Sequence, residues 1–518
     1  MKTQQPNRKL IQLTLLAAFG SALCLMSLFD AATANRTEPR FWIEAGQGGT
    51  LQAEMHFANS VGQLGVLNTA GPVQMKDHPF FEPLGLNPRG CVTCHQPADA
   101  MSVSVESLRQ RWRITKGNDP IFAPIDGSNN PRLPQAPESS HSLLLNRGLF
   151  RIGLQWPPKD HKGNTIKPEF TIEVVRDPTG VNLDSTYGLT GVNPTVSVFR
   201  RSRPAANLKY VMAFDEAPSG QNGASAAVNT ETGTPFSLNL MSDARHLTLK
   251  QQAFGAYRDH QEGRQGQLPE EELAKILAFE NQIYVAQSVD RWGGSLIETS
   301  GATTLGPRAL AEAKTRAMTG DLVFRLFDAW KNPAALPKEL SDAQRAFRVS
   351  AARGNEVFLS RQFRIQNVAH SNSIGLDNSG KQTCTSCHSA PMTGQALSAG
   401  WVDLGTTNYP MWTEPSIFSN KTELPVFKCT CDKKALPHPY LGRVIFTNDP
   451  GRALITGKCA DIGSIVMGQF RGLASRAPYF SNGSARTLRE LIDFHDRRFD
   501  IKLTKQEKTD LVNFLSVL

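Results

Sequence analysis

The sequence predicts a mainly α protein, with two small helical domains carrying the same pentapeptide, loop-rich insertions and a little β. Three observations predict it. C-x-x-C-H occurs twice, as Cys91-Val-Thr-Cys94-His95 and Cys384-Thr-Ser-Cys387-His388. The segments of clean hydrophobic periodicity are mostly helical in period and gather around the second copy. With 41 Gly and 32 Pro among 518 residues, much of the remainder reads as loop.

The chain opens with basic Lys2, Arg8 and Lys9, an apolar run from Leu10 to about Phe29, and small residues at Ala32 and Ala34. That order reads as an export signal spanning residues 1–34, cleaved after Ala34, with an uncleaved anchor as the alternative. Without Lys2, Arg8, Lys9 and Asp30 the net charge of +9 falls to +7 and is spread evenly along the chain. No basic block interleaved with aromatics exists, so nucleic acid is excluded as the expected partner. The expected location is the periplasm, which is also where thiols pair.

C-x-x-C-H is the attachment motif of c-type haem. Two thiols one turn apart form thioethers to the two haem vinyl groups, and the adjacent histidine swings under the iron as its proximal ligand. Zinc would need further Cys or His pairs nearby, and a thioredoxin-like pair would not need the histidine twice. Two covalently bound haems are therefore expected, held by Cys91, Cys94 and His95 and by Cys384, Cys387 and His388. Cys429, Cys431 and Cys459 remain; one bridge from Cys459 to either Cys429 or Cys431 leaves one thiol over.

Residues 35–340 are expected to form a first haem domain with a long insertion, and 341–518 a second. In the first, FTIEVV with Phe170, Ile172 and Val174 alternating reads as a strand. NNPRLPQAP and the polar stretch Ser219 to Gly233 read as loops. Pro269 opens a helix expected to turn Leu273, Ile276, Leu277 and Tyr284 inward, while the segment Arg36 to Arg89 shows no clear period. In the second, DAQRAFRVSAARGNEVF reads as a helix before the motif. TLRELIDFHDRRF follows, capped by Thr487 with Glu490, and TKQEKTDLVNFLSVL closes the chain, capped by Thr504 with Glu507. The middle helix places His495 on the same face as Leu488, Leu491 and Ile492. By itself such a position suits a packed histidine.

The stretch GLASRAPYFSNGSARTLRELIDFHD, residues 472–496, is similar to the A-P-Y-F-H-N-G-S-x-x-T-L stretch of the bacterial di-haem cytochrome c peroxidases. Their relatives include tryptophan-oxidising di-haem enzymes and di-haem rubber oxygenases. The resemblance covers most of residues 345–518 and, more patchily, NPRGCVTCHQPADA, VNPTV and SDARHLTLKQQAFGAYRDHQEG in the first half. It implies cytochrome c-like haem domains and makes His495 the sixth ligand of the second haem, with Met467, Met392 and His438 as rivals. It also implies Gln252 and Glu262 as distal, catalytic residues of the first haem, with His260 as a further candidate base or ligand. His78 and His141 read as structural.

The activity so implied is reduction of hydrogen peroxide with electrons from a small periplasmic donor, a cytochrome c or a cupredoxin. The alternatives are oxidation of an organic or protein substrate, and electron transfer without catalysis. The resemblance also admits Ca2+ at the domain interface and a homodimer. Two departures stand out: the tryptophan expected before the D-G-R pattern is Ser242 here, or Phe214 with Asp215 if MAFDEA is its counterpart, and the proline before the catalytic glutamate is absent.

Overall fold

The computed structural model describes residues 40–518 apart from 161, 213–236, 265, 267, 298–304, 314–323, 369–379, 396–399, 411–421 and the side chain of Met392. The export segment, the Ser219 to Gly233 stretch, Phe214 and Asp215 lie outside the described residues. Trp42–Leu518 form one compact unit.

The mainly α expectation is corrected. Among the described residues 32% are helical and 19% lie in strands, so the fold is mixed α/β. The principal strands are β1 (Glu54–Asn59), β2 (Gly62–Asn68), β3 (Leu149–Gln155), β4 (Phe170–Arg176), β5 (Thr195–Arg201), β6 (Ile283–Asp290), β7 (Val426–Cys431) and β8 (Val444–Thr447). The principal helices are α1 (Val105–Thr115), α2 (Leu249–His260), α3 (Glu270–Gln282), α4 (Asp342–Ser360), α5 (Leu488–Phe499) and α6 (Lys505–Ser516).

Two features hid the strands. β5 is buried at five successive positions, so it has no alternating face to read. β6 follows α3 without a turn residue between them, so helical periodicity runs on into it. Tyr284, expected on the helix, is the second residue of that strand. The run IYVAQSV, rich in β-branched and aromatic residues, is what ends the helix.

β6 pairs antiparallel with β2 and β2 with β1, so a sheet occupies the segment that showed no period. β3 pairs with β5. The expected strand FTIEVV is β4; it pairs with β7, placing Ile172 opposite Cys429 and Phe170 opposite Cys431. Cys431 is bridged to Cys459, their Cα atoms 5.8 Å apart, and Cys429 is the buried free thiol. This sheet ties residues 170–176, about a third of the way along the chain, to its last quarter.

The three C-terminal helices follow their sequence signals. α4 and α6 carry full capping boxes, Ser341 with Gln344 and Thr504 with Glu507. In α5, Thr487 accepts from the Glu490 amide, but the Glu490 carboxylate turns back to the Arg486 amide, one residue earlier than a capping box requires. Phe347, Ala351 and Phe358 of α4 share one core with Leu488 and Ile492 of α5 and Leu511, Phe514 and Leu515 of α6. α4 and α6 meet at Gly354, where a Cβ would run into the Asp510 carbonyl and Phe514.

Gly354→Ala weighs two effects against each other. Alanine favours the helix by about 1 kcal/mol over glycine, whereas overpacking a closed contact costs about 1–3 kcal/mol. Backbone blocks the added methyl, so overpacking wins. The variant is expected to melt several degrees below the parent in a thermal scan of the intact protein; a higher melting temperature would show that the crossing is loose.

Candidate functional site

The two C-x-x-C-H loops form single 3-10 turns, Cys91–Thr93 and Cys384–Ser386, each leading to its histidine. Each opens on a cavity. Cys94 and His95 line the first, with Gln252, His260 and Glu280; Cys384, Cys387 and His388 line the second, with Met467 and His495. The cavities share a wall made of Arg201, Ser202, Arg203 and Pro204 after β5, together with Ser242 and Gln469. Ser242 thus stands between them, at the place the resemblance gives to a tryptophan.

Three histidines are held alike. His95 Nδ1 lies 2.9 Å from the Met101 carbonyl oxygen, His388 Nδ1 2.9 Å from that of Gly394, and His495 Nδ1 2.9 Å from that of Leu491. A carbonyl only accepts, so each Nδ1 carries the proton and each Nε2 presents a lone pair. Burial pushes His95 and His388 down to about 4 and lowers His495 as well, which keeps all three neutral. A neutral imidazole with its far nitrogen fixed is what a metal ligand needs.

The rings of His388 and His495 have centroids 6.3 Å apart. Two imidazoles on opposite sides of one metal, each bonded at ~2 Å with its ring centre ~1.2 Å further on, require about that separation. His495 is walled by Phe480, Phe494 and Phe499, which explains its place on an apolar helix face. Of its rivals, Met467 also lines the cavity. His438 is turned away onto Asp403 and the Ile462 carbonyl.

The shared wall is cationic. Arg201, Arg203 and Arg476 line the second cavity, and the first two also line the first. Their guanidiniums donate to carbonyls, Arg201 to Val103 and Arg476, Arg203 to Val466 and Met467, and Arg476 to Gln469. Burial pulls all three down to about 10, and Arg476 Nε has no partner. Desolvated cations facing an apolar cavity call for anions inside it. Arg200, by contrast, is paired to Asp243 and Asp449, and Asp243 also to Arg245, so the D-x-R pattern serves a buried charge network.

These features fit haem. The group is a flat apolar macrocycle with two carboxylates; the thiols would hold its vinyl edge, His95 and His388 its iron, and the guanidiniums its carboxylates. Among the described residues no group of three or more His, Cys, Asp or Glu side chains converges to hold a metal ion. The Ca2+ admitted by the resemblance therefore has no such cage there.

Gln252 lines the first cavity. Glu262 does not: α2 ends at His260, Glu262 takes a left-handed turn with φ 56°, and its exposed carboxylate accepts from Asn87. His260 faces the cavity instead, its Nδ1 2.7 Å from Asp126 Oδ2. Asp126 is buried, which would raise it, but Arg89 and His260 more than reverse this and hold it below the ordinary carboxylate range. Arg89, two residues before Cys91, also donates to the Pro120 and Ile121 carbonyls. His141 is structural, bonded to Gly127 and Gln135 carbonyls, and His78 packs on Phe81 and Phe279.

Sequence reasoning missed Glu280. It lies in α3, 4% exposed, with Oε2 unpartnered on the first cavity, and burial raises its carboxyl to about 8. The signal was present: Glu280 falls on the same helical stripe as Leu273 and Ile276.

No family model matches the chain. A cytochrome-c peroxidase, IdrP1, from Pseudomonas sp. (strain SCT) is 26% identical over 151 residues, 27% of this chain and 37% of that protein. The match thus spans little more than a third of that relative. Among solved structures, Kuenenia stuttgartiensis hydrazine synthase pressurised with xenon has a TM-score of 0.28 at 12% identity, covering 78% of this chain and 87% of its own. A MauG-like protein associated with microbial copper homeostasis has a TM-score of 0.24 at 17% identity, covering 61% and 78%. Neither superposition is close enough to bear on function.

His495→Ala keeps the helix and removes only the ring facing His388. It is expected to eliminate one low-spin ferric signal in electron paramagnetic resonance and replace it with a high-spin signal, with haem content unchanged. An unaltered spectrum would assign the sixth position to Met467 or another side chain.

Proposed function

We propose that this protein is an exported di-haem c oxidoreductase that reduces hydrogen peroxide with electrons from a small periplasmic cytochrome c or cupredoxin. The observation that carries this reading is two C-x-x-C-H loops on cavities with a common wall, the second of which places His495 with its ring centroid 6.3 Å from that of His388, a contact that His95 makes with no histidine among the described residues. A relative at 26% identity is named a cytochrome-c peroxidase, which supports the same reading.

Bound haem supplies one-electron chemistry and, where a coordination position is open, a place for peroxide to bind. The chain's residues set the rest. Cys384 and Cys387 would hold a haem in the second cavity, with His388 and His495 as ligands to its iron, a site suited to receive and pass electrons. Cys91, Cys94 and His95 would hold the haem of the first. Gln252 stands on its lining, while Arg201 and Arg203 keep charge balanced where the two cavities adjoin. The overall reaction takes one peroxide, two electrons and two protons to two waters, so each peroxide consumes two molecules of a one-electron donor.

Purified protein mixed with a reduced small cytochrome c or cupredoxin and peroxide is expected to oxidise two donors per peroxide, recorded at the donor's absorption band. Haem-containing protein that oxidises no donor would overturn the peroxidase reading. High-spin iron in such a protein would favour an organic or protein substrate, and two closed low-spin haems would favour electron transfer alone.

A further inference from the structure

Building on the haem reading of the first cavity, we infer that His260, oriented by Asp126, is the distal proton acceptor for a ligand bound in that cavity, in the role the resemblance gives to Glu262. Four observations converge. His260 lines the cavity together with Cys94 and His95, whereas Glu262 is exposed and turned onto Asn87.

The partner of His260 differs in kind from those of the three ligand histidines. His95, His388 and His495 each face a carbonyl through Nδ1. His260 faces a carboxylate at 2.7 Å, and that carboxylate is 3% exposed. A buried carboxylate on Nδ1 fixes the tautomer that leaves Nε2 free to accept, and it stabilises the imidazolium that forms. The same pairing also occurs behind metal-bound histidines, so the partner alone does not decide between base and ligand.

Spacing separates the two roles. His388 and His495 make a ring contact at 6.3 Å, the separation that ligation of one metal would require. Among the described residues no such ring contact joins His260 to His95, and the two interact electrostatically, so His260 is assigned to a ligand in the cavity and not to the metal. Finally, the dyad is anchored to the attachment loop itself. Arg89 pairs with Asp126 and is bonded to Pro120 and Ile121, so the haem-bearing turn and the base are held in one frame.

The proton path balances. One peroxide oxygen gives its proton to His260 Nε2, and the imidazolium returns it to the other oxygen as the O–O bond breaks, so that oxygen leaves as water. The remaining oxygen becomes water with two electrons from the donor protein and two protons from solvent. Asp126 is the positioning residue; it touches neither peroxide nor iron.

Cyanide tests this without turnover, because HCN must lose its proton to bind as the anion. With haem content verified, His260→Gln is expected to slow cyanide association about 100-fold, the usual scale for a distal base. The low-spin signal of the second haem is expected to stay in place, and Glu262→Gln to stay within about twofold of the parent. Asp126→Asn is expected to give an intermediate loss that Asp126→Glu partly restores. Unchanged association in His260→Gln, or a slow Glu262→Gln, overturns the inference. Faster association with a new high-spin signal overturns it too, because His260 would then be a ligand. Protein that carries no haem fails the broader reading instead.

Discussion

One hydrogen bond, repeated, fixes the geometry on which the rest depends. Each of His95, His388 and His495 gives its Nδ1 proton to a carbonyl of its own local chain. Local backbone therefore aims the free nitrogen, and the aim needs no metal to set it. For His495 the carbonyl is four residues back in the same helix, so the rotation of α5 is what points the ring at His388. That rotation is set in turn by Leu488 and Ile492 packing into the core shared with α4 and α6. Helix packing is thereby converted into coordination geometry.

The second consequence is asymmetry across a common wall. One cavity has two histidines at 6.3 Å, the distance a six-coordinate iron needs. The other is lined by His95 of its C-x-x-C-H loop and by His260, whose Nδ1 is backed by the Asp126 carboxylate. Between them lie Arg201 and Arg203, partly buried and bonded to carbonyls. Such cations are costly to desolvate, and carboxylates brought in by two haems would repay part of that cost. On the proposed reading, a closed site that passes electrons would stand beside an open one that accepts a ligand, a division of labour that a single haem could not provide.

The candidate site of this protein was more legible in its sequence than its architecture. The two pentapeptides located both cavities, because thioether attachment ties five residues to a fixed spacing. Thr487 and Thr504 located the last two helices, because capping is local. Strands such as β5, buried on both faces, and β6, continuous with α3, carried no period-2 signal, and the pairing of β4 with β7 joins segments far apart in the chain. Glu262 was placed by its offset from Gln252. That offset assumes the helix continues, whereas α2 stops at His260 and the chain turns Glu262 outward. Asp126 and Arg89 had no signal at all, since their meeting with His260 is purely tertiary.

Everything proposed for the two cavities requires that both C-x-x-C-H loops carry a haem through thioether bonds, and that requirement can be measured. It is tested most directly by the intact mass of the full chain, expressed with c-type haem maturation and measured after denaturation in acid and solvent. The expected mass is increased by two haem groups that no denaturant removes, falling to one when Cys91 and Cys94, or Cys384 and Cys387, are replaced by Ala. A chain that releases its haem on denaturation, or retains only one, would contradict it.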